Sequence, residues 1–210
     1  MPQFPIETAK TAMLFFDTLN VYLHPDDPAE QRTIEELGVI PRLQKMNAAC
    51  RTAGIPVFYA QADHRPDGRD FAPHIVDEDY FAKPDDPKGW VTKPAAVTKS
   101  GPYREVIAEI APQPADYVIK KHRWSTFYET HFELSLRTAG ITTIMIAGGS
   151  LEIGVASTAY SGRDRDFSII ILKDACTSRR QDVFDVMIRR VFPVFSRVMT
   201  VDEAIALFAK

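Results

Sequence analysis

An aspartate and a lysine lie where acid–base chemistry could take place. Asp17 directly follows the apolar run Ala12–Phe16, and the adjacent Lys120 and Lys121 lie at the end of the predicted strand Tyr117–Lys120 within a basic turn, where one of the two lysines can point to the same rim. A carboxylate at a strand end can transfer a proton, and an ammonium group can position it and stabilise negative charge on a substrate. The plainer alternatives are a helix N-cap aspartate and a solvated lysine in a charged turn.

These residues must be positioned by regular elements, and the sequence predicts strands alternating with helices. The predicted strands are 12–16, 55–60, 117–120, 142–147, 167–172 and 197–201, and the predicted helices are 29–53, 130–138, 151–162, 181–192 and 203–208, the last capped by Asp202. The alternation predicts a three-layer, doubly wound α/β fold: a mostly parallel six-stranded sheet with helices on both faces. Ligands bind at the carboxyl ends of such strands, so Asp17, Gln61, Lys121 and residues 148–154 are expected on one rim.

Residues 61–102 interrupt this alternation. The stretch is rich in proline, aspartate and glycine, and a loop of that length inside a compact domain is usually functional or disordered. Because it also contains Phe71, Tyr80, Phe81 and Trp90, we expect an ordered lid. Residues 1–210 are expected to form one domain that carries this lid.

The bulk composition narrows the class of protein. The 210 residues are 45% hydrophobic and 25% charged, and the formal net charge is −3. These values are ordinary for a globular protein and predict neither a nucleic-acid nor a membrane partner. The N-terminus lacks a signal-peptide pattern, and only Cys50 and Cys176 are present. A cytoplasmic location is therefore expected, with both cysteines packed rather than reactive.

Three motifs in order along the chain resemble the isochorismatase-like (cysteine hydrolase) superfamily. They are the apolar strand that ends in Asp17, the segment Lys121-His122-Arg123-Trp124-Ser125-Thr126-Phe127, and the segment Gly148–Ala159. Most members of the superfamily have their nucleophilic cysteine where this chain has Gly154. Glycine has no side chain, so covalent catalysis by a thiol is excluded at this position. The sequence is similar to the branch that has glycine there.

The resemblance implies vinyl-ether hydrolysis of a small carboxylate-bearing substrate, with release of pyruvate. Asp17 would be the general acid, and Gly154 the position that lacks the thiol. The family pattern has a lysine six residues before a phenylalanine, so the resemblance selects Lys121, six residues before Phe127, rather than Lys120 as the electrostatic partner of Asp17. A cis peptide bond would join Gly149 to Ser150, and the N–H groups of Ser150 and Gly154 would bind an anion. Further candidate substrate-binding residues are Gln61, Phe127, Trp90 and Arg69, with Arg65 as a rival to Arg69. No cofactor is expected, and the resemblance suggests a homodimer or homotetramer.

Other interpretations stay open. Asp17 could instead activate water against an amide or imide, or the chain could be an inactive ligand-binding member. Leu19 and Ser150 replace a glutamine and an aromatic residue of the family pattern, which leaves the substrate open. Some relatives, the nicotinamidases, bind zinc through Asp-x-His, but Asp63 and His64 are adjacent, so no metal is expected.

Overall fold

The apolar runs of the sequence form eight strands in the computed structural model, which describes residues 4–70, 101–178 and 180–209. The strands are β1 (Ile6–Glu7), β2 (Thr11–Phe16), β3 (Val57–Ala62), β4 (Tyr117–Lys121), β5 (Thr143–Gly148), β6 (Ser168–Cys176), β7 (Arg197–Met199) and β8 (Phe208–Ala209). Six of them form one sheet in the order β4-β3-β2-β5-β6-β7, and every pairing in it is parallel. The short strands β1 and β8 form a separate parallel pair, which the sequence did not predict.

The helices of the described residues lie between these strands. They are α1 (Asn20–Leu23), α2 (Pro28–Leu37), α3 (Val39–Ala53), α4 (Phe132–Thr138), α5 (Ala156–Arg163), α6 (Gln181–Val186) and α7 (Val201–Ala206). A turn of π-helix, Leu151–Val155, precedes α5. The predicted single helix 29–53 is wrong, because Gly38 adopts φ 60° and separates α2 from α3. The predicted N-cap Asp202 is also wrong, since Thr200 caps α7 and accepts a hydrogen bond from the Glu203 N–H.

The sheet is covered on both faces, as the sequence predicts. Alternate residues of β2 point to opposite faces. Met13 and Phe15 belong to a core cluster with residues of α3 and α7, and Leu14 and Phe16 belong to a second cluster with residues of α4 and α5. Because β2 is central and packed on both sides, all six of its residues are buried. The three-layer α/β fold is therefore confirmed.

Most of the predicted lid, residues 71–100, lies outside the described part of the chain, and Trp90 lies there too. The lid and the role of Trp90 stay predictions. No helix in the described ranges is long and apolar enough to cross a membrane.

Candidate active site

The carboxyl ends of β2, β3, β4 and β5 converge on one rim. In the register of the sheet, Phe16 is paired with Ala60 of β3 and with Gly148 of β5, and Ala62 is paired with Lys121 of β4. Asp17 and Lys121, far apart in sequence, therefore reach the same edge. The structure brings both of them next to the segment that contains Gly154.

Asp17 and Lys121 form a buried ion pair at this rim. Lys121 Nζ donates to Asp17 Oδ2 at 2.7 Å, and the two side chains are only 5% and 10% exposed. Charges held this deep are costly unless they are paired. The pair is thus a fixed feature of the interior and not a solvated surface contact.

The backbone fixes the orientation of the aspartate. Asp17 adopts φ 46°, a left-handed conformation that aspartate tolerates better than most residues. Its N–H donates to Ala60 O at 2.9 Å, and its Oδ1 accepts from the Ala62 N–H at 2.9 Å. Both carboxylate oxygens therefore accept a hydrogen bond, one from an ammonium group and one from a backbone amide.

The Phe16 ring fills the space beside Gly154. A Cβ atom placed on Gly154 would lie 2.3 Å from Phe16 Cε1 and 2.4 Å from Cζ, distances that no real side chain adopts. The same ring lies under the lysine, with Lys121 Nζ 4.4 Å from the ring centroid. A cysteine at position 154 would therefore collide with a ring that is itself in contact with the ion pair.

The glycines that precede the π-helical turn permit a close crossing of backbones. Gly148 adopts φ 118°, and a Cβ there would lie 2.0 Å from Phe16 O. The peptide bond between Gly149 and Ser150 is cis, as the resemblance implies. Ser150 Oγ is buried, and it has no hydrogen-bond partner within the described ranges. Anion binding by the Ser150 and Gly154 N–H groups stays a prediction.

The other predicted substrate-binding residues lie in different surroundings. Gln61 lies near the rim, where its side-chain amide donates to Arg104 O. The Arg69 side chain is 84% exposed and extends toward Asp67 rather than toward Asp17. Phe127 is buried in the core beside Phe132, with the two ring centroids 4.9 Å apart. The structure does not bring Arg69 or Phe127 to the ion pair.

Arg65, the rival of Arg69, also lies away from the pair. Its guanidinium bonds to Asp67, with Nη2 at 2.7 Å from Oδ2, and its side chain is 62% exposed. Both arginine side chains, those of Arg65 and Arg69, thus extend into solvent. Spacing along the loop therefore did not identify an arginine that faces the ion pair.

A histidine that was not predicted as a site residue lies near Lys121. His64 follows the end of β3, and its Nδ1 lies 3.5 Å from Asp70 Oδ2. Its ring meets that of His122 edge to face, with the centroids 5.9 Å apart. Burial lowers the pKa of His64 and outweighs the neighbouring Asp70 carboxylate, which raises it, while the Lys121 ammonium group lowers it further. The signal available in the sequence was its position just past a strand end, the same signal that identified Asp17.

Arg104 is a second residue that the sequence did not indicate. Its guanidinium donates to His64 O, and its side chain is 14% exposed. It comes from the segment after residue 100, so its approach to the rim depends on long-range folding. Among the described residues, no group of three or more His, Cys, Asp or Glu side chains is arranged to hold a metal ion.

The cysteines do not replace the missing thiol. Cys50 and Cys176 are free and buried. Burial raises the pKa of Cys176 to about 12, and that of Cys50 to about 12, so neither is a thiolate at neutral pH. The backbone of Cys176 is paired with Gly148 near the rim, but its side chain is buried in the core. Both therefore serve as packed apolar residues, as predicted.

Known proteins resemble this chain in sequence and in fold. The Isochorismatase domain model matches residues 11–203. The uncharacterized isochorismatase family protein YecD of Escherichia coli O157:H7 is 32% identical over 79% of this chain and 80% of its own length. Ureidoacrylate amidohydrolase RutB of Methylobacterium radiotolerans is 32% identical over 81% of this chain and 68% of its own length. A cysteine hydrolase structure from Pseudomonas syringae pv. phaseolicola 1448A superposes with a TM-score of 0.80 at 23% identity, over 98% of this chain and 96% of that one.

Proposed function

Because the chain belongs to the isochorismatase family of hydrolases, we propose that it hydrolyses a small carboxylate-bearing substrate without forming a covalent enzyme intermediate. Asp17 is the proton-transferring group of this reaction, and Lys121 is its electrostatic partner. Gly154 takes the place of the nucleophilic cysteine of most members of the superfamily, so no thiol takes part. The leading substrate class is a vinyl ether, whose hydrolysis needs a proton donor and water but no nucleophilic side chain.

One observation carries this proposal: the acid–base pair is intact while the space for a thiol is filled. Lys121 Nζ and Asp17 Oδ2 are 2.7 Å apart in a buried setting. At the same rim, Phe16 ring atoms lie within 2.4 Å of where a Cβ on residue 154 would be. A site that had simply lost its cysteine would be expected to leave a void there. The packed ring favours a site built for chemistry without the thiol.

The proposed vinyl-ether reaction balances with these two residues and water. Asp17, a carboxylate in the ion pair with Lys121, first takes up a proton from solvent. It then transfers that proton to the terminal methylene carbon of an enolpyruvyl ether, which leaves an oxocarbenium carbon. Water adds to that carbon and returns a proton to Asp17. The carbon–oxygen bond of the resulting hemiketal then breaks while its hydroxyl proton passes to the departing oxygen, which releases the alcohol and pyruvate. Lys121 stabilises the aspartate anion that exists between the two proton transfers.

A second candidate is amide hydrolysis by water that Asp17 activates as a base. Both Asp17 oxygens accept hydrogen bonds, which is the arrangement of a proton acceptor. The relative RutB is named as a ureidoacrylate amidohydrolase, so an amide is a reasonable class to test. In this reaction Asp17 takes a proton from water while the oxygen attacks the carbonyl carbon.

A two-product assay separates these candidates. The purified chain is incubated with isochorismate and, separately, with ureidoacrylate, while pyruvate and ammonia are measured by coupled NADH oxidation. Pyruvate from isochorismate supports vinyl-ether hydrolysis, and ammonia from ureidoacrylate supports the amide reaction. Asp17→Asn is the matched control, because asparagine also tolerates the left-handed backbone of residue 17. If neither product forms in either reaction, the vinyl-ether and amide assignments both fail, and an inactive ligand-binding protein is favoured.

A further inference from the structure

Phe16 is the last residue of β2, directly before Asp17, and its surroundings hold it rigidly. The residue is 1% exposed. Its backbone is paired with Ala60 on one side and Gly148 on the other, and its carbonyl oxygen accepts from the Gly149 N–H at 3.1 Å. The backbone that carries the ring is therefore held on both sides, at the end of a central strand of the sheet.

The ring of Phe16 makes two contacts with the site that a simple core residue would not make. One edge rests on Gly154, at a distance that only glycine allows. Its face lies 4.4 Å, measured from the centroid, from Lys121 Nζ, and the same ammonium group is 2.7 Å from Asp17 Oδ2. The ammonium group of Lys121 is thus in contact with a carboxylate and with an aromatic face.

We propose that Phe16 is a positioning residue of this site, which holds the Lys121 ammonium group against Asp17 while its ring rests on Gly154. An aromatic face attracts a cation, and the attraction is stronger where water is excluded. A lysine side chain has much rotational freedom to lose, and a wall of this kind restricts it. The effect on turnover rests on the proposed function, whereas the effect on the ammonium group does not.

Phe16 and Gly154 are consequently a matched pair. The ring can occupy its place only because residue 154 has no Cβ, and residue 154 can carry a side chain only if the ring is reduced. A second variant can therefore restore lost volume without restoring the aromatic face. Phe16→Leu removes the face and leaves space, and Phe16→Leu/Gly154→Ala refills part of that space with a methyl group.

The experiment measures the lysine directly as well as turnover. Hydrogen exchange of the Lys121 ammonium protons is followed by NMR in protein labelled with ¹⁵N-lysine, and kcat and KM are measured on whichever substrate releases product. The control is Phe132→Leu, which makes the same substitution in the same apolar cluster without touching the ion pair. Stability of every variant is compared by urea unfolding.

The positioning role predicts that Phe16→Leu speeds ammonium exchange about tenfold and lowers kcat by a similar factor, with little change in KM. Phe16→Leu/Gly154→Ala should stay impaired in both readouts, while Phe132→Leu should exchange as the wild type does. Wild-type exchange in the double variant would show that only volume matters and would overturn the proposal. Altered exchange with no product from any substrate would uphold the positioning role and refute the proposed function alone.

Discussion

Replacing Lys121 with methionine tests how much the buried pair contributes to stability. Methionine keeps most of the apolar stem and removes the charge, so the Asp17 carboxylate is left buried without its cation. Because the two side chains are only 5% and 10% exposed, the loss should be about 3–5 kcal/mol in the free energy of unfolding. In a domain of this size that corresponds to a fall in melting temperature of about 6–20 °C.

The assay is urea unfolding of four proteins: the wild type, Lys121→Met, Asp17→Asn and the double variant. Removing both charges leaves no buried ion without a partner, so the double variant should be less destabilised than the sum of the two single variants. We expect a coupling free energy of about 1–3 kcal/mol. The matched control is Lys45→Met, which breaks the Lys45–Asp202 pair.

The Lys45–Asp202 pair has the same nitrogen–oxygen distance as the Lys121–Asp17 pair, but its side chains are much more exposed. Lys45 Nζ lies 2.7 Å from Asp202 Oδ1, but the side chains are 58% and 71% exposed. A solvated pair of this kind should contribute only about 0–1 kcal/mol. If Lys121→Met costs no more than Lys45→Met, or if the two single losses add without coupling, burial and pairing of Asp17 and Lys121 do not stabilise the fold.

Other parts of the chain give three further predictions. Gly154→Cys should lower the free energy of unfolding by about 1–3 kcal/mol through its collision with the Phe16 ring; Gly154→Ala adds the same Cβ, so a wild-type result for alanine in urea unfolding would contradict this. His64→Gln should reduce the loss of stability below pH 6.5, because burial lowers the pKa of His64 and the unfolded chain binds its proton first; identical stability-against-pH curves would be the opposite result. Thr200→Ala should cost about 1 kcal/mol by removing the N-cap of α7, while Thr200→Ser should be nearly neutral by thermal unfolding.

Topology alone predicts that Asp17 and one of the adjacent lysines reach the same rim, and the family resemblance selected Lys121 over Lys120. Parallel strands present their carboxyl ends at one edge, so any polar residue just past an apolar strand is brought to that rim. The capping box of α7 is also present in the sequence, as Thr200 three residues before Glu203, so the N-cap was predictable although the prediction of Asp202 is wrong. The break between α2 and α3 depends on the left-handed backbone of Gly38, with φ 60°. The spacing of apolar residues along a helix gives no information about such an angle.

The places of Phe127 and Phe16 could not be predicted in the same way. Phe127 lies in the core because its segment is tied to α5: the Thr126 N–H donates to Thr158 Oγ1 at 3.0 Å, and Ser125 Oγ donates to Ser161 Oγ at 3.0 Å. Such long-range contacts leave no periodic signal. The contact between Phe16 and Gly154 likewise depends on the register of β2 with β5 and on the path of the turn that follows β5, although each residue is visible in the sequence.

The central claim is that Asp17 transfers the proton in a hydrolysis that uses no thiol. Its most direct test is single-turnover product formation by the wild type and by Asp17→Asn, at equal folded fraction and with the enzyme in saturating excess over the substrate. The account predicts a rate about 10²–10⁴-fold lower for Asp17→Asn, with unchanged product release when Cys50 and Cys176 are both replaced by alanine in a folded variant. An Asp17→Asn enzyme that turns over at the wild-type rate would contradict it.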